Sequence, residues 1–326
     1  MDFFRHKDVT FLRLLFEARG NFIPSRDLSE ASRLTPGELE AVVETYRKAG
    51  YPLEIHPQRG IGLGELPDVW CAEEILARCP TTPGGIAWDP LLLAETTSTN
   101  DVARDQARKG ARAGFLVAAS RQSRGRGRLG RSWESPPGKG LYISLLLRPS
   151  LEAAQAGRLT ILSSVAMVDA VEALSGVRPQ IKWPNDLIHG GRKLAGLLIE
   201  TEPNGTQLAF AVIGIGINVR HEVDDFSPEV RSLATSLRIA TGQLYRRADL
   251  LVALLCAFEN RLQKPFAETR EAWAASSLTL GQRVTLTTLR GTKYGQAVGL
   301  DESGALLLRN DAGEVETITA GDMQAV

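Results

Sequence analysis

The amino-acid sequence predicts an α+β protein in three blocks, and three observations carry that expectation. Residues 1–67 hold three helical segments followed by two short strands. Residues 88–277 alternate apolar, strand-length runs with helices, and residues 278–326 string short strands between glycine-containing turns. The stretch 68–87 between the first two blocks reads as a linker.

In the first block, VTFLRLLFEA has helical spacing and Gly20 follows as a stop. PSRDLSEASRL reads as a short helix. TPGELEAVVETYRKAG reads as a third, with Thr35 as N-cap, Pro36 at the first helical position and Gly50 at the end. YPLEIHPQRGIGLG then gives two strands about a proline-containing turn. This is the order of a winged helix-turn-helix, with the helix-turn-helix at about Ser25 to Glu44. In the second block, GFLVAAS and GLYISLLL are strands, and LTILSSVAMVDAVEALSG is a helix closed by Gly176. KLAGLLIET and QLAFAVIGIGINV are strands joined through EPNGT, whose Asn-Gly pair favours a tight hairpin. RADLLVALLCAFENRLQKPF and TREAWAAS follow as helices, so the sheet is expected to be mixed and mainly antiparallel. The close strand spacing of the third block predicts a small β-barrel.

Bulk properties narrow the function. The chain has 326 residues, 43% of them hydrophobic, and a formal net charge of zero, so any anion site must be local. Cys71, Cys79 and Cys256 show no metal-ligand spacing and point to free thiols in a reducing compartment. The four histidines are scattered, which argues against zinc. The first twenty residues interleave charges with apolar residues and read as neither signal peptide nor membrane span. A cytoplasmic protein with no membrane partner is expected.

Four stretches carry chemistry. In SRQSRGRGRLGRSW, residues 120–133, arginines 124, 126, 128 and 131 alternate with glycines 125, 127 and 130. If extended, Arg124, Arg126 and Arg128 project to one side, while the glycines let backbone N–H groups approach an anion. Guanidinium forks suit phosphate and carboxylate oxygens. The competing reading is a disordered basic loop or an RGG-like RNA contact, but those are longer and repeated. In QIKWPNDLIHGGRKLAGLLIE, the turn displays Lys182, Asn185 and Asp186 together, and Pro184 stiffens it. Asp186 could hold Mg²⁺, and Lys193, at the start of a buried strand, needs an anionic partner. A proline turn with solvated charges is the alternative. In AVIGIGINV, Gly214 and Gly216 interrupt a buried strand, marking a bulge or the close approach of a ligand, and Asn218 offers an amide to a base edge. It fails as a dinucleotide fingerprint. In AETTSTND, Ser98, Thr99 and Asn100 sit at a strand-to-helix junction, suited to capping, ligand binding or both.

Together TTSTN, RQSRGRGRLGRSW, IKWPNDL, RKLAGLLIE and GIGINV, with the later LATSL and the C-terminal block, resemble the biotin protein ligases in order and spacing from about residue 90 onward. The N-terminal block resembles that of the bifunctional ligase and biotin-operon-repressor subclass. The resemblance implies a class II synthetase-like central domain (88–277) and an SH3-like C-terminal barrel (278–326). It implies biotin and MgATP as substrates, biotinyl-5′-AMP as intermediate, and transfer to a lysine of biotin carboxyl carrier protein. By the same resemblance Arg128, Lys193, Asp186 and Lys182 are catalytic. Ser98, Thr99, Asn100 and Gln122 bind the biotin head group, and Arg126, Gly127 and Arg128 cover its carboxylate and the phosphate, with Gly196 lining the site. Arg126, Arg128, Arg131, Trp133, Asn185, Asp186, Gly214, Ile217 and Asn218 surround the adenylate. The arginine loop is implied to be mobile when empty and ordered when occupied. Pairing of two copies through the central sheet is a further implication, as is an operator DNA partner. Against the latter, residues 1–67 carry nine Lys/Arg and ten Asp/Glu, with Glu38, Glu40 and Glu44 on the recognition helix. A domain kept for packing or protein contacts is the alternative there. For the whole chain the alternatives are a lipoate-type ligase and a biotin-sensing regulator with weak ligase activity.

Overall fold

A computed structural model describes residues 2–79, 85–289 and 291–325. The N-terminal block forms α1 (Asp2–Glu17), α2 (Ser25–Ser32) and α3 (Pro36–Lys48), then an antiparallel hairpin of β1 (Leu53–His56) and β2 (Gly60–Leu63). Local sequence starts α3: the Thr35 hydroxyl accepts from Glu38 N at 3.3 Å, and the Glu38 carboxylate accepts from Thr35 N at 2.7 Å. Phe11, Leu12, Leu15, Leu28, Leu39 and Val43 make a core of their own, closed by Leu53 and Ile61 from the hairpin.

The stretch expected to be a linker contains a further helix, α4 (Ala72–Arg78), capped by the Cys71 sulfur on Glu74 N at 3.3 Å. Glu74 is fully buried, and its carboxylate receives Arg78 at 2.9 Å and Arg246 at 3.1 Å. Arg246 also donates to the Val69 carbonyl at 2.9 Å, so this segment is fastened to the central block. A buried carboxylate demands such partners, because leaving one unpaired costs several kcal/mol. Residues 80–84, the rest of that stretch, lie outside the described residues.

The central sheet has seven strands: β3 (Asp89–Thr96), β4 (Phe115–Gln122), β5 (Gly140–Leu147), β6 (Gln180–Lys182), β7 (Asp186–His189), β8 (Arg192–Asn204) and β9 (Gln207–Asn218), in the order β3-β4-β5-β9-β8-β7-β6. Only β3 and β4 run parallel; the other neighbours are antiparallel. The parallel pair requires a crossover, which α5 (Thr99–Arg108) supplies. The β8–β9 hairpin turns at Gly205, whose φ of +62° suits glycine.

Period-two alternation decides what each face does. Leu141, Ile143, Leu145, Ile213, Ile215 and Ile217 point to one face and pack beneath α6 (Gly157–Ser175), α8 (Arg247–Leu262) and α9 (Phe266–Ser276). Val117, Leu146, Phe210 and Val212 point to the other and pack on Ala103 and Ala107 of α5. Between β9 and α8 lies the short α7 (Leu237–Thr241). The final block is an antiparallel sheet of β10 (Arg283–Thr288), β11 (Gly291–Leu300), β12 (Leu306–Arg309), β13 (Val315–Ile318) and β14 (Asp322–Ala325), ordered β13-β12-β11-β10-β14. Among the described residues no helix is long and apolar enough to cross a membrane.

Candidate active site

A cleft of about 220 Å³ opens on the α5 face of the central sheet. Its floor is backbone. On β8 and β9, Gly196 pairs with Gly216 and Leu198 with Gly214. The two β9 glycines are there for space. A Cβ on Gly214 would lie 2.1 Å from Asn100 Oδ1, and one on Gly216 would lie 2.5 Å from the Trp133 ring. The space at these glycines is taken by the protein's own Asn100 and Trp133, not by a ligand.

One end of the cleft is a buried, neutral hydrogen-bond cluster. Ser98, Thr99 and Asn100 are all at most 4% exposed. Gln122 Oε1 accepts from Thr99 N at 2.9 Å, while Gln122 Nε2 donates to Ser135 Oγ at 2.9 Å. Ser144 on β5 donates to Asn100 Oδ1 at 2.6 Å and lies 2.8 Å from Thr99 Oγ1. Asn100 Nδ2 donates to Glu200 at 2.7 Å. Ser98 occupies the N-cap position of α5, yet its hydroxyl makes no capping bond. Capping thus does not account for it, and it lines the cleft instead. Ser144 was missed in the sequence, although a serine inside the apolar run GLYISLLL is a legible signal.

The other end is cationic. Lys193 Nζ is 2.7 Å from Asp186 Oδ1 and 5.4 Å over the Trp133 ring. That contact is close but poorly aligned, and Asp186 Oδ1 is left buried without a hydrogen bond. Arg126 bridges Asp101 and Glu200, each at 2.8 Å. Arg128 donates to Asn185 Oδ1 at 3.3 Å and to the Gly321 carbonyl at 3.1 Å. Arg131 pairs with Asp322 of β14. Burial pulls the Arg128 guanidinium below its ordinary value, whereas Asp322 raises that of Arg131. Lys182 and Asn185 flank the turn that begins β7, whose Trp183–Pro184 peptide is cis, and Asn185 Nδ2 donates to the Leu197 carbonyl at 2.7 Å.

Three expectations are corrected. The arginines do not project to one side of an extended strand: the loop folds into a tight hairpin. Gly127 N donates to the Arg131 carbonyl at 2.7 Å and Trp133 N to the Gly125 carbonyl at 2.9 Å. A 3-10 turn follows at Arg128–Gly130, with Leu129 at φ +56°, and Arg126, Arg128 and Arg131 reach different anchors. The Ile217 side chain lies on the opposite face of the sheet, fully buried under the helices, because position 217 is out of phase with 214 and 216. Asn218 spends its amide on the Thr235 carbonyl at 3.0 Å rather than offering it to the cleft. Asp322 and Met323 line the cleft from β14, and nothing in the sequence pattern near residue 322 signalled it.

Among the described residues no group of three or more His, Cys, Asp or Glu is arranged to hold a metal. Mg²⁺ needs less, since it takes one or two carboxylates and completes its shell with phosphate and water. Asp186, whose Oδ1 is paired with Lys193 at 2.7 Å, would suit an ion that arrives on a nucleotide and takes that lysine's place.

Fold and site together define a small-molecule α+β protein whose cleft joins a neutral recognition end to an anion-neutralising end. The biotin/lipoate A/B protein ligase family model matches residues 92–218, and the biotin protein ligase C-terminal domain model matches 279–325. A bifunctional ligase/repressor BirA of Bacillus spizizenii is 34% identical over 96% of this chain and 97% of its own. A biotin–[acetyl-CoA-carboxylase] ligase of Paracoccus denitrificans is 35% identical over 68% of this chain and 95% of its own. The structure of the Aquifex aeolicus biotin protein ligase in complex with biotin and ATP superposes with a TM-score of 0.62 at 30% identity, covering 72% of this chain and 97% of that one. The chain belongs to the biotin protein ligase family.

Proposed function

We propose that this chain is an ATP-dependent biotin–[acetyl-CoA-carboxylase] ligase. It makes biotinyl-5′-AMP from biotin and MgATP, then passes the biotinyl group to a lysine of biotin carboxyl carrier protein. One observation carries this reading: a single cleft places a preformed neutral hydrogen-bond cluster beside five cationic side chains, Lys182, Lys193, Arg126, Arg128 and Arg131. A cyclic urea needs the first end; a carboxylate attacking a polyphosphate needs the second.

In the first step a biotin carboxylate oxygen bonds to the α-phosphorus and the bond to pyrophosphate breaks. No enzyme nucleophile is required, so the side chains position, neutralise and exclude water. Ser98, Thr99, Asn100 and Gln122 hold the head group, and Gly196 lines the site beside them. Among the described residues Arg128 has no carboxylate within bonding distance, and it takes up the α-phosphate charge. Lys193 leaves Asp186 for the reacting oxygens, which frees that carboxylate. Mg²⁺, held by Asp186 and the phosphates, supplies further charge neutralisation when bound. Arg126, Gly127, Arg131 and Trp133 close over the adenylate, and Lys182 and Asn185 steady the phosphates. In the second step the carrier amine attacks the acyl carbon, the bond to AMP breaks, and the amine gives up a proton. Incubation with biotin, ATP, Mg²⁺ and an apo carrier domain tests the reading. The expected product is a biotinylated lysine; no product, or lipoyl transfer in its place, overturns it.

The order of three helices and a hairpin supports a winged helix-turn-helix over residues 1–67, and hence a repressor role like that in the name of the Bacillus relative. Its charge is unfavourable. Glu40 and Glu44 face solvent on α3, although Glu38 is absorbed by the cap and by Lys7 at 2.9 Å. Salt-dependent retardation of biotin-operon DNA in the presence of biotin and ATP supports repression, and its absence leaves a packing domain. The division into 1–67, 88–277 and 278–326, the SH3-like character of the last unit, the cytoplasmic location and pairing through the central sheet belong to the same proposal. Sedimentation with and without ligands tests the pairing.

A further inference from the structure

Two thiols outside the cleft meet across the junction of α4 and α8. Cys79 ends α4 and is 7% exposed, with its sulfur 3.9 Å from the Val252 carbonyl on α8. Cys256 lies four residues beyond Val252, one turn along the same helical face, and is open to solvent. Cys79 Sγ therefore faces the turn of α8 that carries Cys256. The charged groups facing the pair are Arg78 on α4 and Glu259 on α8. The two thiols are unequal. The neighbouring Cys79 thiol holds the Cys256 thiol below its ordinary value. Cys256 beside it, and then burial, push the Cys79 thiol above its ordinary value. Cys71 is different again: burial raises it to about 11, and its sulfur is engaged by Tyr51 Oη at 3.3 Å and Glu74 N at 3.3 Å.

We propose that Cys256 and Cys79 form a thiol–disulfide couple, attacking and resolving respectively, which a low-molecular-weight disulfide such as oxidised glutathione converts into an α4–α8 cross-link. The Cys256 thiolate bonds to one sulfur of the reagent and expels a glutathione thiolate. Cys79 then loses its proton, bonds to Cys256 Sγ and expels the second glutathione. Two S–H groups are consumed, two electrons pass to the reagent, and two glutathione thiols leave. An exposed low-pKa thiol beside a buried partner is the arrangement such exchange needs. Because α4 also holds the N-terminal block through Glu74 and Tyr51, the bridge ties that block covalently to the central sheet's helical layer.

The test uses the full chain treated with oxidised glutathione. Thiol titration of the denatured product should find one of three cysteines free, and peptide mapping should join Cys79 to Cys256. Cys79→Ser should stop at a glutathione adduct on Cys256, and Cys256→Ser should take up none. The initial rate in the wild type should rise at a lower pH than for an ordinary thiol, and in Cys79→Ala its inflection should move up toward the ordinary value of roughly 8.5. A persistent adduct in the wild type, reaction at Cys71, or three unreacted thiols overturns the proposal.

Discussion

The two ends of the cleft are built on opposite principles. At the neutral end the donors and acceptors are buried and already bonded to one another through Ser144 and Gln122. At the cationic end Arg126, Arg131 and Lys193 are about one-third to two-thirds exposed, and each is parked on a carboxylate of the protein itself: Asp101 and Glu200, Asp322, and Asp186. The first end is already hydrogen-bonded within the protein. The second keeps its charges on surrogates that an incoming anion displaces, so its contacts are exchanged rather than created.

That contrast is testable by breaking each end in turn. The largest effect is expected from Lys193→Ala and Arg128→Ala, which remove charge stabilisation and should lower adenylation about 10²–10³-fold with little change in melting temperature. Pyrophosphate-exchange kinetics beside calorimetric melting check this; normal exchange would show that the cationic end is not where charge develops. Gly214→Ala comes next. Its new Cβ meets Asn100 in the buried cluster, so biotin affinity measured by calorimetry should fall by an order of magnitude or more, corresponding to roughly 1–3 kcal/mol of strain. A smaller effect belongs to Asp322→Asn, which frees Arg131 of its surrogate. The ionic contact is exposed, and stability should move by less than about 1 kcal/mol, while retention of biotinyl-AMP changes measurably.

The last prediction concerns pH and separates the cleft from its support. His221 is 1% exposed, stacked on Phe226 at 4.8 Å, and burial pulls it down to about 4. In the unfolded chain it titrates near 6.5, so between those values the unfolded state binds the extra proton. Stability is therefore intact above about pH 6.5 and declines as pH falls toward 4, by about 3 kcal/mol at most. Denaturant titrations from pH 7 to 4 should show this acid limb in the wild type and a flatter one in His221→Phe.

Much of this was legible because it is local. Thr35, Pro36 and Glu38 announce α3 by chemistry that spans four residues. The hairpin at Gly205 follows from its Asn-Gly pair, whereas the residues that crowd Gly214 and Gly216 come from other elements and only tertiary structure shows them. Other features hid for physical reasons. Helix α4 escaped notice because a cysteine caps it and its stability comes from Arg246, more than 160 positions away. The divergence of the arginines escaped a period-two reading because Leu129 turns the backbone through the left-handed region. Ile217 was placed in the site by resemblance, although its phase on β9 sends it to the other face. The surrogate carboxylates Asp101, Glu200 and Asp322 come from three separate elements, and only tertiary structure assembles them.

The β14 anchors have a consequence for how the molecule comes into being. Gly321 and Asp322 stand 193 and 191 positions after the arginines they hold. On a translating ribosome the sheet and the head-group cluster emerge long before those anchors do. The arginine loop therefore cannot reach its β14 anchors until about 190 further residues have been made.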